Sequence, residues 1–495
     1  MWVVAAAVSA VCIHAHAMWF DELQAWNIAR ASHSLPDLFA HLRYEGHPAL
    51  WYLLLYGLTR FTGDPRALQM FGWPIAVATY AVVLFRAPFP VAARIALVAG
   101  YFFAFEYSVI VRSYGLGVLL LVLALSWLAR ARPEWGKAGA ALALLAWTSL
   151  AGALLAVAIA TVVAWRWWST TRDRTRCRVP FTLAAVVVGS AGVAALTCIP
   201  PSDFHSFSLG IPNSSSAYLE PERIAAALGG PWRGLVPIPS GAGQWNTNVI
   251  DQFPAATWAQ ALVSLALVVI VARALRPHAA ALTLWIAGVV GYVAFSIIVV
   301  LPDRAHYAGE FFLLFLACAW FAYSPPGRGR SEPSSGSKAL PAVLVFVLAA
   351  QVLTALAILP DATARPFAPD RTLAAAASRA RLAGDVVSGQ DFDGVTLAGY
   401  LDRDVYSIAR GAPMRYFVND EREARGNVGL TPDRLVCAAA IVSRARSRAV
   451  ALVVDKPMPT PSGVELLAAA QGVRLYRIAP DAAVPSTCRA RGGGS

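Results

Sequence analysis

An acidic pair, Asp21-Glu22, follows directly on the first apolar segment, Met1 to Phe20, of a chain that is apolar along most of its length. An ionised carboxylate at the centre of a bilayer costs about 2.5 to 3.5 kcal/mol even on insertion scales, so both acids are expected at a membrane surface. Carboxylates held there either end the helix or accept protons in a reaction. Further along stand Arg43, Glu45 and His47-Pro48, then Glu106 within the run Phe102 to Tyr107, then Arg112 and Tyr114, and much later Arg304 and His306. Glu106 lies near the end of an apolar segment and needs a cation, which makes Arg112 either its salt-bridge partner or a ligand for an anion.

The elements that must position these residues are membrane helices. Hydrophobic residues make up 57% of the 495, charged residues 14%, and the mean hydropathy is +0.55, the composition of a polytopic membrane protein. The net charge of +12 points to positive-inside bias rather than nucleic-acid binding, because the arginines cluster between apolar segments and no basic stripe with interleaved aromatics occurs on a soluble stretch. The first segment has neither a basic n-region nor a small-residue cleavage site, so it reads as a retained helix. The terminal Gly-Gly-Gly-Ser reads as an appended tail, within 489–495, and is set aside.

Basic clusters at Arg130, Arg132 and Lys137, at Arg166 to Arg178, at Arg273 and Arg276, and at Arg328, Arg330 and Lys338 are expected in the cytoplasm. Single crossings by 179–198, 256–272, 279–301, 308–324 and 339–360 then put the loop 199–255, the turn Pro302 to Tyr307 and everything after 360 outside. The run 138–165 must cross an even number of times, as two short helices broken near Thr148-Ser149. The stretch His47 to Thr62 reaches only about 24 Å as a helix, short of a hydrocarbon core of roughly 30 Å, and is read as re-entrant or surface-lying. The expected domain, 1–360, is an α-helical polytopic bundle of about eleven crossings, N-terminus in and C-terminus out. A full span at 47–62 is the alternative, and would place Arg130 to Lys137 outside and Arg112 inside. In the first arrangement all the polar residues above gather on one external face.

Residues 18–56 resemble the first external loop of the GT-C superfamily of polytopic glycosyltransferases, the group that includes protein O-mannosyltransferases, the lipid A aminoarabinose transferase and lipopolysaccharide galacturonosyl transferases. The resemblance rests on Asp21-Glu22 after the first helix and on His47-Pro48-Ala49, where the family has His-Pro-Pro or Lys-Pro-Pro. It continues in Glu106-Tyr107 through Arg112-Ser113-Tyr114, similar to an Arg-x-Tyr segment, and in Arg304 to Tyr307 ahead of a later span. It covers 1–165 well and the later spans by arrangement. Two departures stand out: no acid follows Glu106 where the aminoarabinose transferase has a second aspartate, and Thr148-Ser149 lacks the histidine often found there.

The resemblance implies inverting transfer of a sugar from a polyprenyl-phosphate donor to a glycan, glycolipid or protein acceptor on the extracytoplasmic side of a bacterial inner or plasma membrane. It implies Asp21 as the base, with Glu22 beside it orienting Asp21's surroundings or touching sugar hydroxyls. Arg112, Arg304 and His47 are then the cationic clamp for the leaving phosphate, and Glu106, Tyr114, Glu45 and His306 support them. No cofactor is expected. Asp21, Glu22, His47 and Glu106 include oxygen ligands for a divalent ion, and no Cys or His spacing supports zinc.

Residues 361–488 read as a small external α/β domain, with strands at 385–389, 405–407, 449–455 and 473–478 and helices at 371–382, 394–401, 432–446 and 463–471. It has neither a Gly-x-Gly-x-x-Gly run nor a P-loop, and either caps the membrane site or is structural. Cys437 and Cys488 would pair in an oxidising compartment, while Cys12, Cys177, Cys198 and Cys318 read as unpaired. In the loop 199–255, Trp232 and Trp245 are read as interfacial anchors, with sugar stacking as the other reading. Asn213-Ser214-Ser215 matches a glycosylation sequon. The rival functions are a lipid-linked-sugar transporter or flippase, whose charges belong at the midplane between repeats that this chain does not show, and a non-catalytic receptor.

Overall fold

The computed structural model describes residues 1–171, 177–205, 215–299, 304–324 and 338–483. The sequon residues Asn213-Ser214, the basic residues Arg172, Arg174, Arg176, Arg328 and Arg330, and Cys488 lie outside them. Cys12, Cys177, Cys198 and Cys318 are buried free thiols.

Helix α1 (Trp2–Ala15) stops before the expected end of the first segment, and α2 (Phe20–Ala31) leaves it at 80°. The Glu22 carboxylate accepts the Trp19 N–H at 3.2 Å, satisfying a donor at the start of α2. Two short helices, α3 (Leu35–Leu42) and α4 (Leu50–Thr59), complete the first loop, and α4 packs along α2. The bundle follows as α5 (Arg66–Arg86), α6 (Val91–Ala99), α7 (Ser113–Leu128), α8 (Trp135–Leu145), α9 (Leu150–Thr170) and α10 (Arg178–Thr197). After α11 (Pro221–Leu228) and α12 (Gly230–Leu235) it continues with α13 (Ala256–Leu275), α14 (Ala279–Ile298), α15 (Ala305–Tyr323) and α16 (Ala339–Ala364).

Among the described residues seven helices are long and apolar enough to cross a membrane unaided, or eight if the bent α1–α2 pair is one span. α6, α7 and α8 are shorter, and a π-helical turn, Phe102–Glu106, follows α6. Every segment expected to cross therefore carries a helix, though not all have full crossing length. The ends of α7 and α15 meet where Ser324 Oγ donates to the Ala129 carbonyl at 3.1 Å, near the Arg130–Glu134 ion pair. Their starts, at Arg112 and Arg304, lie together at the other end.

The C-terminal unit is a six-stranded sheet in the order β3-β2-β1-β4-β6-β5. Its strands are β1 (Val386–Ser388), β2 (Val405–Ser407), β3 (Ala412–Met414), β4 (Val450–Val454), β5 (Val464–Ala470) and β6 (Val473–Ile478). β1 runs parallel to β2 and β4, and the outer pairings are antiparallel. Helices α17 (Asp370–Arg379), α18 (Asp391–Leu401), α19 (Glu421–Asn427) and α20 (Pro432–Arg446) accompany it. One expected element is corrected: 463–471 is the strand β5, not a helix. Gln471 and Gly472 both have positive φ, 47° and 88°, the signature of a two-residue type I′ hairpin turn, which pairs the alanine-rich stretch with β6.

This unit sits directly on the first loop. A polar stripe on α2 at helical spacing holds it: Gln24 exchanges hydrogen bonds with the Phe417 backbone at 2.7 and 2.8 Å, Asn27 donates to the Val395 carbonyl at 2.8 Å, and Arg30 pairs with Asp402 at 3.0 Å. The start of the long loop joins them, through the Tyr44 hydroxyl on Asp203 at 3.0 Å and the Glu421 N–H on the Asp203 carbonyl at 3.0 Å. The first loop, the chain after α10 and the C-terminal unit thus share one end of the bundle.

Candidate active site

A cavity of about 540 Å³ opens where these parts meet, and Asp21, Glu45, His47, Arg112, Arg304 and His306 all line it. They come from four places in the chain. Asp21 is in the first turn of α2; Glu45 and His47 belong to the link before α4; Arg112 and Arg304 are the N-caps of α7 and α15. Neither arginine makes a side-chain cap, so the partial positive charge of both helix N-termini adds to the two guanidiniums at this cavity.

Arg112 Nη1 lies 2.8 Å from Asp21 Oδ2. Burial works most strongly against the charged guanidinium, but the Asp21 carboxylate together with Tyr114, Tyr307 and Tyr52 outweighs it and raises the Arg112 pKa above its ordinary value. Of the two readings of Arg112, the salt bridge to Glu106 is not formed. Glu106 is buried and accepts instead from Tyr101 Oη at 2.6 Å and Trp245 Nε1 at 2.8 Å. Neutral donors satisfy it, and the cation goes to Asp21. The His306 ring lines the cavity, and its Nδ1 is buried with no hydrogen-bond partner among the described residues.

Burial, and secondarily Arg112, pushes His47 down to about 3. It is therefore a neutral imidazole at physiological pH and offers an anion one N–H, not the positive charge expected of it. Burial, opposed by the Gln24 amide at 2.7 Å and reinforced by Asp21, pushes Glu45 up to about 7. Its folded pKa lies above the unfolded value, so its contribution to stability is complete below about pH 4 and is lost as pH rises through about 7. Thermal unfolding in detergent across pH 5 to 8 should show a loss on the order of 3 kcal/mol in the wild-type chain, and Glu45→Gln should flatten that slope.

Glu22, expected either to orient Asp21's surroundings or to touch sugar hydroxyls, does not reach the cavity. It is fully buried and absent from the cavity wall, because its oxygens are taken by His16 Nε2 at 2.7 Å, the Trp19 N–H and the Val111 N–H at 2.9 Å. The last bond ties α2 to the residue before Arg112. Glu22→Gln should lower the melting temperature, the lost charge-assisted bonds being worth about 1.5 to 3 kcal/mol each, while any fall in activity should follow the fraction unfolded. Tyr114 also stands off this cavity. It lines a smaller apolar cavity of about 160 Å³ with Leu150, Phe295 and Val299, which borders the first through His47 and Tyr307.

Several lining residues were not expected. Trp245 is in the wall, with its ring 5.1 Å from Trp19. Gln390, Phe392 and Asn419 arrive from the C-terminal unit, and nothing in the sequence near the first loop signals them. Among the described residues no group of three or more His, Cys, Asp or Glu side chains converges in a metal-binding arrangement.

A polytopic helical bundle whose bent first helix leads into a surface loop, capped by a small sheet unit, has the GT-C fold. Among solved structures, the chain is similar to the aminoarabinose transferase ArnT from Cupriavidus metallidurans bound to undecaprenyl phosphate, with a TM-score of 0.50 and 15% identity over 98% of each chain. For the apo state of the same protein the TM-score is 0.47 at 15% identity, over 98% of this chain and 99% of that one. At this identity the likeness is one of fold. No family model matches the sequence, and no curated protein does.

Proposed function

We propose that the chain is an inverting glycosyltransferase of the bacterial inner membrane, moving a sugar from a polyprenyl-phosphate donor to an envelope glycan or glycolipid on the extracytoplasmic side. The Asp21–Arg112 ion pair inside a cavity that Arg304, His47 and His306 also line carries this reading. A carboxylate beside cations is what displacement of a phosphate needs. The acceptor hydroxyl oxygen attacks the anomeric carbon, the bond from that carbon to the phosphate oxygen breaks, and the hydroxyl proton passes to Asp21. The phosphate leaves with one more negative charge, which Arg112, Arg304 and the two helix N-termini stabilise. Arg prevails here because its planar fork matches phosphate oxygens.

The resting ion pair also gives an order of events. While Arg112 holds Asp21, the base is occupied. An incoming phosphate competes for the guanidinium and releases the carboxylate, so donor binding would prime the base. The apolar cavity between α9 and α14 suits the prenyl chain. All positive clusters named above then face the cytoplasm.

The test supplies purified protein in proteoliposomes with radiolabelled undecaprenyl-phosphate sugars and an envelope glycolipid extract. Label in the extract with release of undecaprenyl phosphate is expected. Movement of intact donor across the bilayer without transfer would replace the enzyme with a flippase. Mass analysis of envelope glycans from a deletion strain names the sugar.

A further inference from the structure

A second cavity, of about 520 Å³, lies across an aromatic partition from the first. Trp19, Phe20, Trp245 and Phe392 line both. The rest of its wall comes from the last turn of α16, the segment Arg365 to Asp370, the start of α18 and Gln471 in the β5–β6 turn. Phe367 adds a ring 5.2 Å from Trp245 and 6.1 Å from Trp19. Two carboxyls complete it. Asp370 is only 4% exposed, and its Oδ1, like Asp393 Oδ2, is buried with no hydrogen-bond partner among the described residues.

Both side chains belong to the cavity wall, so a ligand there meets two carboxyl groups beside the aromatic rings. Burial, reinforced by Asp370 and Asp455, pushes Asp393 up to about 7, and burial brings Asp370 up to about 6. Carboxyls that titrate near neutrality both accept and donate hydrogen bonds, as alternating hydroxyls require. Arg365, which also lines the cavity, is paired with Asp361 at 3.2 Å and leaves the acidic character in place.

We propose that this cavity is the acceptor subsite and that it takes neutral, hydroxyl-rich sugar rings of a glycan. The inference rests on the transferase reading and adds the chemical class of its acceptor. Aromatic faces suit the C–H faces of sugar rings, and the carboxyls suit their hydroxyls while repelling phosphorylated sugars. The partition explains delivery. Phe20 borders both cavities and Asp21, which follows it directly, lines the first, so the acceptor subsite adjoins the base across that partition.

The test measures binding to the full chain in lipid nanodiscs, by saturation-transfer NMR, of cellotriose, triacetylchitotriose and glucose 1-phosphate, with undecaprenyl phosphate binding measured separately. Ala362→Trp fills the cavity from α16, and Asp393→Asn removes one charge with little change of shape. At least one trisaccharide should bind, about tenfold more weakly in Ala362→Trp, equivalent to about 1.4 kcal/mol, and about threefold more weakly in Asp393→Asn. Undecaprenyl phosphate should bind all three proteins alike. The proposal is overturned if neither trisaccharide binds the wild-type chain, if both variants bind as wild type, or if glucose 1-phosphate binds as well as the trisaccharides. Wild-type protein that binds a trisaccharide but not undecaprenyl phosphate would overturn the donor reading instead.

Discussion

Asp21→Asn should reduce sugar transfer by about 10² to 10⁴-fold, the range that a positioned general base contributes, and the loss should fall on kcat. The amide keeps the shape of the carboxylate but cannot take the acceptor proton. KM for the donor should stay the same or fall, because Arg112 no longer has a competing anion at 2.8 Å. A purely structural role for Asp21 predicts the reverse pattern, a lower melting temperature with kcat per folded molecule intact. Asp21→Glu should restore part of the rate, since the longer side chain keeps the function and loses the placement. Steady-state kinetics on proteoliposomes reads both parameters. Full kcat in Asp21→Asn would sink the base assignment.

Arg112→Ala should be of similar severity for a different reason. Removing one preorganised donor from a developing anion costs about 10² to 10³-fold in kcat, and the variant also leaves Asp21 beside the phosphate without its counter-charge. Donor KM should therefore rise as kcat falls, which separates this variant from Asp21→Asn. Arg112→Lys should recover the charge but not the two-pronged geometry, and so stand between Ala and wild type. Inhibition by undecaprenyl phosphate, the product of the proposed reaction, gives an independent readout, and should weaken in the order wild type, Lys, Ala. If Arg112→Ala binds undecaprenyl phosphate as wild type does, Arg112 is only the partner of Asp21, and the clamp falls to Arg304.

Much of the fold was legible because membrane helices obey a strong local rule. Every backbone group in hydrocarbon must be satisfied within its own segment, so length and composition nearly define the helices. The stretch 47–62 carries one short helix, α4, ten residues long. In the sheet unit the short β3 and α19 carried no signal strong enough to be expected, and at β5 alanine and leucine favour a helix locally while the Gln471-Gly472 turn and pairing with β6 override them.

The candidate site was legible in types but not in partnerships. Asp21, Arg112 and Arg304 stand out because charges at helix ends in an apolar chain are expensive unless used. Which carboxylate receives Arg112 is not a property of spacing. Glu106 is six residues away and Asp21 ninety-one, yet the π-helical turn delivers Glu106 to Tyr101 and Trp245 while the 80° bend after α1 brings Asp21 to Arg112. Glu22, adjacent to Asp21 in the chain, points away into His16 and Val111, because successive residues on a helix are turned by about 100° from one another.

The sequence by itself determined a multi-helix membrane chain with a small sheet unit, and which ionisable residues had to lie at a surface, since both follow from local hydrophobicity and from the cost of charge in hydrocarbon. Only the tertiary structure decided that Arg112 belongs to Asp21, that Glu22 and Glu106 are spent on other partners, that His47 is buried enough to be neutral, and that Trp245, Phe392 and Asn419 close the cavity. Those outcomes depend on segments hundreds of residues apart meeting at one end of the bundle, and no local pattern encodes that meeting.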